Sequence, residues 1–304
     1  MTAGHSTTAG VKAIAGLDAT NSNLLNFAMV EDLGGGLKAT ANIGIRFDVN
    51  QASTQLGFGK NTGDQFVDLT SAKFGGVRVG TFTSYSDAPY SAFATWTNFN
   101  TASGLSATSV NSMAYTTPDI SGFKAKLTSF VPNVTFAAAT GATYTAPVGA
   151  IGDITAHGGT QVILTYTNGP FAAGYMNQEY SAIGEASGKK LSTLNANYDF
   201  KVAKVFVQTW EQKKATTGTT DDKGYGISAN IPVGAWTAKV GMRKYSNLTS
   251  LTSPVATLAD RTSLGVTYSL SKRTTVIALL AKDKLISTAA TKTNNTYLGV
   301  QHSF

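Results

Sequence analysis

NTYLGVQHSF, residues 295–304, alternates in polarity with a period of two. The even positions Thr296, Leu298, Val300, His302 and Phe304 share one face, because successive side chains of a strand point to opposite sides. Tyr297, Gly299, Gln301 and Ser303 share the other. One face is mainly apolar and ends in an aromatic ring, while the other is mostly small or polar.

The same alternation recurs upstream. Leu37, Ala39, Ala41, Ile43, Ile45 and Phe47 alternate with Lys38, Thr40, Asn42, Gly44, Arg46 and Asp48. Tyr225–Ile231 and Leu264–Leu270 repeat it. A soluble sandwich also alternates, so the connections decide. Short turns are readable at Leu33–Gly36, Gly75–Gly76, Asp119–Gly122, Asn168–Pro170, Lys201–Val202, Pro232–Ala235 and Leu270–Arg273. Between them lie long polar segments at 49–62, 83–108, 132–158, 180–190, 213–222, 246–261 and 285–293. Tight turns at one rim and long loops at the other are the transmembrane-barrel arrangement. The expected fold is all-β: a single domain, residues 1–304, forming a 16-stranded antiparallel barrel with short periplasmic turns and long extracellular loops. Val11–Ala19 is the expected first strand and Thr296–Phe304 the last, whereas Leu24–Glu31 and Thr275–Asp283 read with either parity.

Composition agrees. Charged residues are 13% of the 304, about half of the usual ~25%. The longest apolar run, Val276–Ala281, is far short of the ~20 residues of a spanning helix, so a membrane can be crossed only by a closed sheet. With no cysteine, disulfides and thiolate metal sites are excluded. Met1–Ala13 lacks a basic start followed by an apolar core, and the outer-membrane reading expects such a leader in the precursor.

Six segments in order, Glu31–Ala39, Phe74–Phe82, Ser109–Phe123, Tyr198–Gln208, Tyr268–Val276 and Val300–Phe304, resemble the trimeric porins of β-proteobacteria, relatives of the neisserial porins. EDLGGGLKA (Glu31–Ala39) looks like their first periplasmic turn, and FGGVRVGTF (Phe74–Phe82) like the strand entering the pore-constricting loop. SVNSMAYTTPDISGF (Ser109–Phe123) is similar to the strand and turn after it. YDFKVAKVFVQ (Tyr198–Gln208) and YSLSKRTTV (Tyr268–Val276) match two later hairpins, and VQHSF (Val300–Phe304) the terminus. VKAIAGLDA (Val11–Ala19) is a fainter match to the first strand. The order of these segments carries the resemblance as much as their letters.

The resemblance implies an outer-membrane diffusion channel for small hydrophilic solutes and ions, assembled as a homotrimer. Its third extracellular loop, here about residues 83–108, would fold into the lumen. Its end, Phe304, would be the signal read by the barrel-assembly machinery. Outer-membrane lipid and lipopolysaccharide would surround it, with small outward residues such as Ala13, Ala15, Ala39 and Ala41 suiting the trimer contact. The loop carries one charge, Asp87, beside Tyr85, Tyr90, Phe93, Trp96 and Phe99. Relatives place acids on this loop opposite wall arginines; Ala28, Thr81 and Ala114 stand here where arginine is usual.

Inward parity falls to Lys38, Arg46, Arg78, Lys124, Lys126, Lys204, Lys239 and Arg243, with Asp48 and Asp199 the clearest inward acids. A lumen lined by one sign concentrates counter-ions. With net charge +7, a modest anion preference is expected, set by Arg46, Arg78, Lys126, Lys239, Arg243 and the loop. Lys38 and Lys124 sit beside turns, where a lysine also serves as a solvated rim. Tyr198, Phe200, Trp236, Tyr268 and Phe304 are candidate interfacial aromatics, although plain β propensity favours the same residues.

Two other functions are compatible with the sequence: a substrate-selective porin with a polar and aromatic constriction, and a structural surface-lattice barrel. Enzyme chemistry has little to stand on. His5, His157 and His302 lie far apart, and neither a G-x-S-x-G elbow nor Walker spacing around Gly34–Gly36 is present. No cofactor or metal is expected. The 24 Lys and Arg are dispersed rather than clustered, which argues against nucleic acid.

Overall fold

Val, Ile, Thr, Tyr and Phe fill the alternating segments, and these side chains suit a pleated, half-buried surface. The structure is a computed structural model that describes residues 2–8, 11–15, 23–47, 62–85, 91–93, 107–130, 136–137, 143–144, 158–180, 190–213, 222–247, 259–285 and 292–303. No described residue is helical.

The chain opens with β1 (Thr2–Thr8) and β2 (Val11–Ala15). Next come β3 (Asn23–Gly34), β4 (Leu37–Phe47), β5 (Thr62–Ser71), β6 (Gly75–Tyr85), β7 (Ala107–Thr116) and β8 (Phe123–Phe130). Two short strands, β9 (Phe136–Ala137) and β10 (Thr143–Tyr144), pair only with each other. The series resumes with β11 (Gly159–Asn168), β12 (Phe171–Tyr180), β13 (Lys190–Asp199), β14 (Lys204–Lys213) and β15 (Asp222–Val233). It ends with β16 (Trp236–Asn247), β17 (Ala259–Ser269), β18 (Thr274–Leu285) and β19 (Lys292–His302).

β3 to β8 and β11 to β19 make fifteen consecutive antiparallel strands, with β8 joined directly to β11. β1 adds a sixteenth beside β19, from Thr2 opposite Gln301 to Thr8 opposite Asn295. The expected first strand, Val11–Ala19, does not hold that register: Val11–Ala15 turns back on β1, with Thr8 opposite Val11. Backbone hydrogen bonds set the pairing, and they do not depend on which of the two segments is more apolar.

Among the described residues, seven connections are short, joining β3–β4, β5–β6, β7–β8, β11–β12, β13–β14, β15–β16 and β17–β18. Gly34, Gly35 and Gly36 turn the first of these with φ of 81°, 60° and 80°, a region where only glycine sits without strain. All seven lie at one rim, which carries paired rings. Trp236 and Tyr268 are 4.4 Å apart, Tyr198 and Phe200 4.6 Å, and Phe123 and Tyr166 4.3 Å. Phe304 lies outside the described residues.

The two faces of the sheet are inverted relative to a soluble protein. Leu25, Phe27, Met29, Val67, Val79, Leu127, Leu194, Leu264, Leu280 and Leu298 are bare, while Gln161, Asn195, Asn197, Gln208, Ser263, Arg243 and Arg261 are buried. A continuous bare apolar face of this extent needs an apolar solvent, and an outward apolar band around a polar interior is how a barrel meets lipid.

Candidate functional site: the sheltered face and its inserted loop

β6 leads into the long segment after Tyr85, and it is bent on the way. Its pairing with β7 shifts register between Gly80 and Phe82 and again between Thr83 and Tyr85. Gly80 has φ 138°, and a Cβ there would lie 2.2 Å from the Gln65 carbonyl oxygen. Such bulges kink a strand and redirect the chain beyond it.

Ser91–Phe93 then rests on the sheltered face of β15 to β19. Ala92 N–H donates to Ser228 Oγ at 2.9 Å, and Lys239 Nζ donates to the Ala92 carbonyl at 3.0 Å and to Asn230 Oδ1 at 2.9 Å. The amide and the carbonyl of Ala92 are thus both tied to the wall. β16 lies eight strands from β6 in sheet order, roughly 38 Å along a flat sheet, so the sheet curves round the segment it holds. Phe93, fully buried, sits among Ala92, Phe206, Ile277, Leu279, Ala281 and Tyr297. Gly265 makes room for it: a Cβ there would stand 3.2 Å from the Phe93 ring and 2.5 Å from Leu279 Cδ2. The two readings of β18 are resolved by this contact. Ile277, Leu279 and Ala281 are buried and Leu280 is bare, so both faces are apolar, one for the inserted segment and one for lipid.

Charges gather in two groups. On β5 and β6, Arg78 makes a fork to Asp68, Nε to Oδ1 and Nη2 to Oδ2, both at 2.6 Å. Its guanidinium carbon lies 3.6 Å from the Phe66 ring centroid. Lys126 points its ammonium to 4.8 Å from the Phe82 ring centroid. On β16 to β19, Arg261 forks to Asp283 at 2.6 and 2.7 Å, and Asn295 Nδ2 donates to Asp283 Oδ2 at 3.0 Å. Arg243 is opposite Arg261 in register.

Of the residues predicted from sequence, Arg78, Lys126, Lys239 and Arg243 lie on this face. Lys239 is bound to the inserted segment. The side chains of Arg46 and Tyr85 lie outside the described residues, as do Asp48, Asp87, Tyr90 and Trp96 entirely. Lys124 pairs with Asp119 at 3.5 Å at the turn rim, both half-exposed, and Asp199 accepts from Lys201 N–H there at 2.7 Å. Sequence reasoning missed Asp68, Arg261, Asp283, Ser228 and Gly265. Parity counted back from Ser263 and Gly265 reaches Arg261, and parity along Phe66–Asp68 reaches the partner of Arg78. Phe93 was visible only as one loop aromatic among several.

No cluster of three or more His, Cys, Asp or Glu that could hold a metal occurs among the described residues. His302 Nδ1 is 2.9 Å from Thr274 Oγ1 on the outer face. The arrangement has the parts of a passage: a polar wall, an apolar exterior and an inserted segment that narrows the space.

A family model described as Gram-negative porin matches residues 2–285. The chain belongs to the Gram-negative porin family. This porin is 28% identical over 305 residues to outer membrane porin protein 32 of Delftia acidovorans, covering 93% of this chain and 81% of the relative. It superimposes on an anion-selective porin from Comamonas acidovorans with a TM-score of 0.72 at 24% identity, over 100% of this chain and 99% of that one. An OmpF of Salmonella typhi, solved with daunomycin, gives a TM-score of 0.72 at 11% identity, covering 100% and 96%. The curved sheet is therefore the wall of an outer-membrane β-barrel, its sheltered face is the lumen, and the protein is a diffusion channel of the Gram-negative outer membrane.

Proposed function

We propose that this porin passes small hydrophilic solutes with a modest preference for anions, through a lumen narrowed by the segment around Ser91–Phe93. The observation that carries the reading is the charge balance of the inner wall. Among the described residues, Lys38, Arg78, Lys124, Lys126, Lys204, Lys239, Arg243 and Arg261 outnumber the inward acids Asp32, Asp64, Asp68, Asp199 and Asp283. Rings of fixed positive charge favour anion entry, and low-dielectric walls strengthen their field. The similar barrel from Comamonas acidovorans is an anion-selective porin, which supports the same sign.

The pairs limit the effect. Asp68 and Asp283 neutralise Arg78 and Arg261 at fork geometry, so the excess rests on fewer groups than a count of arginines suggests. Lys126 and Arg243 are the wall cations we assign to selectivity, with Arg46, Asp87, Tyr85, Tyr90 and Trp96 completing the constriction. A planar-bilayer recording with a tenfold salt gradient tests this: the reversal potential takes the sign of anion permeation, and cation preference overturns it.

Outer-face Ala39 and Ala41, and the early strands around Ala13 and Ala15, form the close-packed wall of a homotrimer in this reading. A monodisperse monomer by mass measurement in mild detergent would count against that contact. The rings at the turn rim, Tyr198, Trp236 and Tyr268 with Phe304, anchor the periplasmic interface, and Phe304 is offered to the barrel-assembly machinery. A substrate-selective channel is the second reading. It is favoured by Trp210 stacked edge-on at 5.3 Å to Tyr245 on the inner face, beside the neutral amides Asn195 and Gln208. Conductance that saturates with one sugar or aromatic acid would select it.

A further inference from the structure

We propose that the wall socket under Ser91–Phe93 is a binding site for free N-acylated dipeptides ending in phenylalanine, with the inserted segment as its resident occupant. The site lies beyond the diffusion reading, which it needs only in that such a solute reaches the wall from the lumen. The wall engages two main-chain groups of one residue and the ring of the next. Ala92 N–H donates to Ser228 Oγ at 2.9 Å, and the Ala92 carbonyl accepts from Lys239 Nζ at 3.0 Å. Phe93 then buries its ring completely among Phe206, Ile277, Leu279, Ala281 and Tyr297. An N–H, a carbonyl on the same residue and a phenyl ring on the following one are features of any acyl-alanyl-phenylalanine. The segment therefore presents to the wall what a free peptide of that class also carries.

The receiving half of this contact is built from strands alone. Asn230 on β15 is opposite Lys239 on β16, and its Oδ1 accepts from Lys239 Nζ at 2.9 Å. That bond lies within the wall, so it holds the ammonium in place whether or not the segment is seated. Ser228 precedes Asn230 by two residues on the same face of β15. The ring pocket is framed by β14, β18 and β19, and Gly265 on β17 leaves the room: a Cβ there would stand 3.2 Å from the Phe93 ring. A site whose donors, acceptors and pocket are fixed in advance binds with little ordering cost. Pockets lined by aliphatic and aromatic side chains also accept free aromatic guests. The tether gives the segment an effective concentration on the order of millimolar, so a free peptide exchanges with it in that range. Seating the peptide unseats Ser91–Phe93, and the narrowing that the segment provides is lost while the peptide is bound.

The test uses the full-length protein in detergent and follows acetyl-alanyl-(para-fluoro)phenylalanine amide by fluorine NMR. Saturable binding is expected, displaced by acetyl-alanyl-phenylalanine amide and not by acetyl-alanyl-alanine amide. F93A removes the resident ring, and it is expected to bind the probe at least about tenfold more tightly than wild type, because the occupied fraction of sites no longer lowers the apparent affinity. An ester analogue, with oxygen in place of the alanine N–H, is expected to bind F93A about tenfold more weakly than the amide, and S228A combined with F93A removes that difference. G265V combined with F93A fills the pocket and abolishes binding; if that variant does not fold, the ester and S228A comparison decides alone. Equal affinity in wild type and F93A, equal displacement by the two dipeptides, or equal binding of ester and amide by F93A would each overturn the proposal. Single-channel steps are recorded in parallel and are expected to grow with millimolar acetyl-alanyl-phenylalanine amide. Binding without any conductance is a failure of the channel reading, and conductance without binding is a failure of this one.

Discussion

Lys239 is the residue on which the position of the inserted loop depends most. Its ammonium supplies the only described side-chain donor to the Ala92 carbonyl, and it is nearly buried, so water is a poor substitute. Replacing it with Met removes two charge-assisted hydrogen bonds and leaves an acceptor unsatisfied, at a cost of about 1–3 kcal/mol. K239M is expected to keep the barrel, as judged by resistance to unheated SDS, and to give larger and noisier single-channel steps. A trace identical to wild type would show that the tether is held by other groups. Asp68 gives a second prediction. D68N removes the counter-charge of Arg78 while keeping its shape, so the reversal potential in a salt gradient is expected to move further toward anions; an unchanged potential would place Arg78 away from the ion path. Neither residue could be assigned this role from sequence. Lys239 was legible as an inward cation, but its partner comes from a segment 147 residues earlier in the chain, and side-chain alternation carries no information about contacts across a lumen.

Among the strands, β18 shows what alternation can and cannot reveal. A strand between water and lipid reads as polar then apolar, and β19, β15 and β4 do so, which is why their faces were legible. β18 runs Val276-Ile277-Ala278-Leu279-Leu280-Ala281 without a polar residue, because Ile277 and Leu279 cover Phe93 while Ala278 and Leu280 meet lipid. Two adjacent substitutions should therefore behave differently. L280R puts a charge on the lipid face and is expected to cost about 2–4 kcal/mol near the midplane, seen as lost assembly. L279A opens the pocket for Phe93 and is expected to spare assembly while loosening the loop, seen again as noisier conductance. Equal effects on assembly would contradict the two-faced strand. The N-terminal strands were less legible for another reason. Thr2–Thr8 and Val11–Ala15 both have strand character, and only the backbone pairing with β19 distinguishes them.

For the barrel as a unit, the fold was legible in the order of short turns and long connections, and the charge excess in the net +7. Not legible was that two wall arginines are held in forks by Asp68 and Asp283, since Asp283 ends a strand of ambiguous parity and Arg261 was counted with a loop. The consequence is a channel whose field is set by a small number of wall cations, with a weak rather than a strong preference. A single-channel recording in a tenfold salt gradient at neutral pH bears on this most sharply. Discrete ohmic steps with a small reversal potential of the sign of anion permeation are predicted. Steps with a reversal potential of the opposite sign, or no steps from protein shown to be folded, would contradict it.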